Sequence, residues 1–334
     1  MTPLLETANR LRREFVRHRN ADHPSEIRVI DGPGCEGGRD APVLSVIIPT
    51  RDGDARGRLP KLLEQIRRQS LARHEVILVK GDPRQGRAIN TGAALARAEL
   101  LLTLDDDARL NPEDLFERLV QTLTARSDIA MAGVPNLIPD DAPWLARMVM
   151  EQVPRKRTPP VQTITDSDLA EHGCLAIRRS VFYQVGGEHE FLPRGLDPYL
   201  RSEIRKTGAR IVVIPGVWYH HLPPEAVAGL VKQCFRNGVQ AAYCQKFFPQ
   251  WVIETPARHT ADFAERVAFP RRAARYAIHI VVAFLTLGRY LLIFLALWWS
   301  LSVVHMHWSS IQWIVAAVSV GVGFGLQEIV NFLF

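Results

Sequence analysis

Three consecutive carboxylates, Asp105, Asp106 and Asp107, stand where an apolar run ending in Leu104 stops. Like charges this close repel, and each is costly to remove from water. Along an extended chain, alternation sends Asp105 and Asp107 to one side and Asp106 to the other. Two carboxylates can then share a hard divalent cation that relieves their repulsion. The plainer account is a loop leading to a helix capped by Asn111 and begun by Pro112, Glu113 and Asp114. It explains those four residues but not three acids at a strand end.

The elements that must position these acids alternate in type. LSVII (44–48), EVILV (75–79) and ELLLTL (99–104) have the apolar, β-branched character of buried strands, and LPKLLEQIRRQS and RAINTGAALARAE between them carry helical periodicity. This β-α-β-α-β order predicts a parallel sheet, with ligands bound beyond the carboxyl ends of its strands. The residues there are Pro49-Thr50-Arg51-Asp52, Lys80-Gly81-Asp82 and the three aspartates, so every strand end carries an acid.

Composition sets the frame. The chain has 334 residues, 47% hydrophobic and 23% charged, enough for a large core. A net charge of +6 with scattered arginines does not form a nucleic-acid-binding stripe, so no nucleic-acid partner is expected. Cys35, Cys174, Cys234 and Cys244 show no CxxC spacing, which argues against a zinc site or a disulfide framework and fits a reduced compartment. The division expected is a basic amphipathic helix and Gly/Pro linker over 1–43, a globular α/β domain over 44–270, and interfacial and transmembrane helices over 271–334. The N-terminus lacks the apolar core of a signal peptide.

The segments LSVIIPTRDGD, GRAINTGAALARAELLLTLDDDARL and GCLAIRRSVFYQVGG resemble family 2 glycosyltransferases of the GT-A fold over roughly 44–240. The resemblance implies that Asp105 and Asp107 correspond to the Asp-x-Asp motif that holds Mg2+ or Mn2+ on the diphosphate of a nucleotide-sugar. PTRD resembles the Pro-Thr-Tyr-Asn turn, so Pro49, Thr50 and Asp52 would lie against the nucleoside, with Arg51 in place of the aromatic residue. Arg87 and Asn90 match the Ala-Arg-Asn-x-Gly element near the diphosphate. After the second strand the usual Asp-Asp-Gly-Ser run is reduced to Asp82, while Asp106 completes the implied donor side. A divalent cation at such a site stabilises charge developing on a departing phosphate.

Downstream, GGEHEFLPRGLDPYLRSEIRKTG resembles the acceptor region of that family and puts Asp197 in the position of the catalytic base, with Leu196 where the family has Glu. Glu188 and Glu190 are the next candidates, and a simple capping role before Pro198 is the alternative. His220 matches the third metal ligand of many such enzymes, with His221 as the alternative. Gln233 and Arg236 resemble the Gln-x-x-Arg-Trp acceptor motif, but Asn237 replaces Trp, which favours single transfers over polymer synthesis.

The last segment, RYLLIFLALWWSLSVVHMHWSSIQWIVAAVSVGVGFGLQEIVNF, is similar to the last transmembrane pair of small-conductance mechanosensitive channels. Gly321 and Gly325 have the spacing for close helix packing or a homo-oligomer. The reading that follows is a membrane-anchored, metal-dependent inverting glycosyltransferase acting on a lipid carrier or lipid-linked glycan. Alternatives are a channel subunit with a glycosyltransferase-like sensor, a non-catalytic nucleotide-sugar-binding protein, and a nucleotidyltransferase, whose Gly-rich triphosphate loop is not seen.

Arg266, Arg271, Arg272 and Arg275 precede the first long apolar run, whereas His305 to Ser310 contains no Lys or Arg. The positive-inside rule then keeps the catalytic domain in the cytoplasm of a cell whose inner membrane is crossed twice, by Leu285 to Val304 and by Ile311 to about Phe332. Arg289 is expected near the cytoplasmic interface, since a charge at mid-depth is expensive. A single cysteine at Ser309, with the four native cysteines removed, should be labelled from outside intact cells. Labelling only after permeabilisation contradicts this topology.

Overall fold

The computed structural model describes residues 25–36, 40–152, 158–192, 195–251, 288–296 and 298–300. The expected N-terminal helix, most of the apolar C-terminal region, Gly321, Gly325 and the loop at Ser309 lie outside the described residues. Two compact units divide the chain, 1–266 and 267–334.

In the first unit an eight-stranded sheet runs in the order β1-β3-β2-β4-β8-β6-β9-β7. The strands are β1 (Glu26–Asp31), β2 (Leu44–Thr50), β3 (His74–Lys80), β4 (Leu100–Leu104), β6 (Ile129–Gly133), β7 (Thr165–Asp166), β8 (Cys174–Arg178) and β9 (Arg210–Val213). β3, β2 and β4 are mutually parallel, as the alternating elements require, and β6 with β9 forms a second parallel pair. β8 enters antiparallel between β4 and β6, and β1 and β7 are antiparallel edges, so the sheet is mixed. The strand at Glu26–Asp31 falls in the stretch read from sequence as helix and linker. A two-stranded ribbon of β5 (Arg109–Asn111) and β10 (Trp218–His220) stands beside the sheet.

Strand alternation builds two cores. Leu44, Val46, Ile48, Val76, Leu78, Leu100, Leu102 and Leu104 face one way, onto α1 (Arg58–Arg67) and α3 (Leu115–Ala125). Ile47, Ile77, Val79 and Leu101 face the other way, onto α2 (Gln85–Leu95), α5 (Arg179–Gln184) and α6 (Leu196–Lys206). With both faces covered, the central strands read as continuous apolar runs. Asn111 ends β5 and does not cap the next helix, which starts at Leu115 behind Asp114. The remaining helices are α4 (Trp144–Gln152) and α7 (Val227–Phe247).

Buried Glu75 ties the sheet to the return from α2. Its carboxylate accepts from Ser45 Oγ (2.6 Å), Arg97 N (2.7 Å) and Arg97 Nε (2.6 Å), so its buried charge is paired and hydrogen-bonded. In the second unit, residues 288–296 and 298–300 are helical, with Tyr290 to Leu295, Trp298 and Trp299 exposed where described. Among the described residues no helix is long and apolar enough to cross a membrane.

Two glycines test this packing with opposite signs. A Cβ on Gly92 of α2 would lie 2.4 Å from Cγ2 of fully buried Ile47, whereas one on Gly238 of α7 would meet nothing within 4 Å. Gly92→Ala should destabilise the full chain in detergent by about 1–3 kcal/mol, and Gly238→Ala should stabilise it by about 0.5–1 kcal/mol. Urea denaturation measures both. Stabilisation by Gly92→Ala would contradict the α2–β2 packing.

Candidate metal and active site

Asp105, Asp106 and Asp107 follow β4 at the carboxyl edge of the parallel strands, and a turn closes there with Ala108 N donating to Asp105 O (3.1 Å). Asp106 turns to β2 and accepts from Thr50 Oγ1 (2.7 Å). Asp107 Oδ1 lies 3.3 Å from His221 Nε2, and Asp105 Oδ2 lies 3.8 Å from His221 Nδ1. Asp105, Asp107 and His221 offer ligand atoms that all lie within 4.8 Å of one another. Two carboxylates and one imidazole fit a cation of the Mg2+ or Mn2+ type, the imidazole being the better partner for Mn2+.

The histidine at the carboxylates is thus His221, not His220. β10 pairs antiparallel with β5, opposing His220 to Arg109, and His220 Nδ1 turns away to the carbonyl of Leu137 (2.7 Å). The next residue is held by its backbone, His221 N donating to Asn136 Oδ1 (2.9 Å). Adjacent residues of an extended strand face opposite ways, so a one-residue offset exchanges the two rings.

The charges here are strongly coupled. Burial pushes Asp105 upward, and so do Asp107 and Asp197, against the pull of His221. Burial and the two neighbouring aspartates raise Asp106 to about 6 although Thr50 favours its ionised form. For Asp107 burial is outweighed by His221 and Arg58, leaving it below its ordinary value. Burial alone would lower His221, but Asp107 and Asp105 raise it to about 9. A cation held by all three residues must displace that imidazolium proton, which links binding to deprotonation.

Most of the other residues singled out by sequence bond to neighbouring loops of the protein itself. Arg87 grips Asp82 with two bonds, Nε to Oδ2 (2.6 Å) and Nη2 to Oδ1 (2.8 Å), and Asp82 Oδ1 also accepts from Arg84 N (2.9 Å). Asn90 binds the loop after Gly187: its Oδ1 accepts from Glu188 N (2.8 Å), and its Nδ2 donates to Glu188 O and Glu190 Oε1 (2.9 Å each). Asp52 Oδ1 accepts from Asp54 N and Ala55 N (2.9 Å each), folding its own loop behind Pro49 and Thr50. Gln233 and Arg236 are carried by α7. Gln85, which the sequence did not single out, donates from Nε2 to Asp105 Oδ1 (3.1 Å).

Asp197 is the second residue of α6; Gly195, left-handed at φ 82°, stands at the N-cap, so Asp197 does not cap the helix. Its Oδ1 accepts from the backbone N–H of His172 (2.8 Å). The buried His172 ring lies between Glu188 Oε1, 2.8 Å from Nε2, and Thr103 Oγ1, 3.0 Å from Nδ1. Burial would lower His172, but Glu188 and Asp197 raise it to about 9, while burial pushes Glu188 up. Sequence reasoning missed His172. The available signal was register: β8 runs antiparallel to β4 with Cys174 opposite Leu104, which brings residue 172 to the aspartate end.

Residues 80–186 match the family model for glycosyl transferase family 2, which contains β4, the three aspartates and β8 and gives the enzyme class, a glycosyltransferase. Residues 286–327 match the model for transmembrane helices 2/3 of mechanosensitive ion channels. No curated protein matches the chain. Among solved structures, a mannosyltransferase from Pyrobaculum calidifontis in complex with GDP-Man and Mn2+ is similar at 16% identity and TM-score 0.42, covering 84% of this chain and 90% of that one. TarS of S. aureus in complex with UDP is similar at 14% identity and TM-score 0.41, covering 53% of this chain and 60% of its own.

The histidine assignment is directly testable. Calorimetric titration with Mn2+ should show His221→Ala and Asp107→Asn each binding at least about tenfold more weakly than the unmutated chain, since even residues behind the ligands contribute that much. His220→Ala should bind normally. Loss in His220→Ala with retention in His221→Ala reverses the assignment.

Proposed function

We propose that this chain is a membrane-anchored, metal-dependent inverting glycosyltransferase that moves a sugar from a nucleotide-sugar to a lipid carrier or a lipid-linked glycan. The observation that carries the proposal is the Asp105–Asp107–His221 cluster at the end of β4, inside the segment matched to glycosyl transferase family 2. Asp105, Asp107 and His221 would hold Mg2+ or Mn2+, which when bound neutralises charge on the departing nucleoside diphosphate.

The chain's own groups supply the rest. Thr50, Asp52, Asp82 and Asp106, with Pro49 beneath, line the nucleoside side, and Arg87 and Asn90 keep α2 and the Glu188 loop in place around the donor. Asp197 accepts the proton of the acceptor hydroxyl as its oxygen bonds to the anomeric carbon and the bond to the diphosphate breaks. A single displacement of this kind inverts the anomeric centre. The His172 N–H fixes Asp197 Oδ1, leaving Oδ2 as the oxygen assigned to the acceptor proton. Gln233 and Arg236 are assigned to the acceptor side.

Two observations support a membrane setting. The exposed side chains of 289–296 and 298–300 are apolar apart from Arg289 and Ser300, as suits a helix in lipid. On α7, Val227, Val231, Phe235, Val239, Tyr243 and Phe247 are exposed, and the helix carries Lys232, Arg236 and Lys246 with no acid, the pattern of an interfacial helix. An acceptor confined to the same bilayer gains effective concentration. The match at 286–327 also favours a second reading, a channel subunit with a nucleotide-sugar sensor, which conductance in planar bilayers distinguishes.

The test is transfer itself. With Mn2+ and a panel of nucleotide-sugars, the full chain in membranes should move label into the lipid fraction. Asp197→Asn should lower turnover by roughly 10²–10⁴ while nucleoside diphosphate affinity stays unchanged. Normal turnover in that variant moves the base to another residue, Glu188 first. Donor binding with no product from any acceptor fraction sinks the enzymatic reading.

A further inference from the structure

We infer that Arg58 is a diphosphate-binding residue of the donor site, resting on Asp107 while the site is free and moving onto the nucleotide when it is filled. This inference rests on the nucleotide-sugar reading above. The arginine that family resemblance assigns to the diphosphate is committed elsewhere. Arg87 is bound twice to Asp82 at 2.6 and 2.8 Å, and its side chain is only 15% exposed. Those are the lengths of strong, forked guanidinium–carboxylate bonds.

Arg58 is held differently. It is the first residue of α1, its Nη1 lies 3.3 Å from Asp107 Oδ2, and its Nε donates to the Ala55 carbonyl at 3.3 Å. Both contacts are long for a charge-assisted bond, and the side chain is 34% exposed. A loosely held guanidinium therefore sits against one of the three residues that can hold a cation. It cannot coordinate a metal, and a divalent ion on Asp107 takes its partner and repels it. The anion that arrives with the ion in this reading is the diphosphate, whose oxygens suit the planar fork of arginine.

The backbone before Arg58 supports an aimed side chain. Ala55, Arg56 and Gly57 are consecutive left-handed residues, at φ 50°, 61° and 75°. That conformation is disfavoured for the first two, and it persists where surrounding bonds over-determine it. Asp52 Oδ1 accepts from Asp54 N and Ala55 N, and Asp54 Oδ2 accepts from Gly57 N. The loop thus reverses sharply after β2 and starts α1 with Arg58 facing the aspartates.

The inference predicts opposite changes in two affinities of one variant. Calorimetry on the full chain in detergent would titrate Mn2+ alone, then UDP, GDP, UMP and GMP in the presence of Mn2+. In Arg58→Gln, Mn2+ alone should bind severalfold more tightly, because a competing cation is gone. The preferred nucleoside diphosphate should bind about ten- to hundredfold more weakly, as expected for lost bonds to a charged group, while the monophosphate changes little. Arg58→Lys, which keeps the charge without the fork, should fall between and serves if the Gln variant does not fold. Unchanged diphosphate affinity overturns the inference whatever Mn2+ does. Parallel loss of metal and both nucleotides, the mark of a structural role, overturns it too. Failure of the unmutated chain to bind either diphosphate with Mn2+ refutes the underlying reading, and the inference falls with it.

Discussion

The constraint on which this structure turns is the placement of three carboxylates at the end of a fully buried strand. β4 is buried along its whole length, and Asp105, Asp106 and Asp107 leave it with no intervening polar residue. Their mutual repulsion is relieved in three directions at once: Thr50 meets Asp106, His221 meets Asp105 and Asp107, and Arg58 meets Asp107. Burial and the neighbouring aspartates raise Asp106 to about 6, and Asp107 and Asp105 raise His221 to about 9, both marks of a strongly negative site.

Behind those contacts lies a second layer of buried polar pairs that fixes the elements bearing them. Glu75 with Ser45 and Arg97 locks β3, β2 and the turn after α2, Asp82 with Arg87 locks α2 to the segment after β3, and Asn90 locks α2 to the loop carrying Glu188. Glu188 pairs with His172, whose N–H holds Asp197. Removing one partner from such a network leaves a buried charge uncompensated, which is the costly way to break it. The geometry of Asp197 relative to β4 therefore depends in part on residues, Ser45, Glu75, Arg97 and His172, that are assigned no contact with substrate.

Much of this was legible in the sequence because local pattern and tertiary environment agree there. The runs at 44–48, 75–79 and 99–104 are strands because both faces of the parallel centre are covered. The expected division of Asp106 from Asp105 and Asp107 is present, but a turn after Leu104 makes it, with Thr50 and His221 as the partners, rather than the alternation of an extended strand. What escaped depends on partners distant in sequence. The choice of His221 over His220 is made by the ribbon of β10 on β5 and by Asn136, and the role of His172 is made by the register of β8. Glu26–Asp31 is a strand only because β3 offers an open edge, and residues assigned to the donor, Arg87 and Asn90, turn out to bind the protein itself.

The central claim is that Asp105, Asp107 and His221 form one cation site at the foot of a nucleotide pocket. The most direct measurement is anomalous X-ray diffraction from crystals of the chain grown with Mn2+ and a nucleoside diphosphate. The account predicts a manganese peak among Asp105, Asp107 and His221, with the diphosphate on its open side. A manganese peak elsewhere, or a nucleotide bound at the β4 end with no metal between it and these residues, would contradict it.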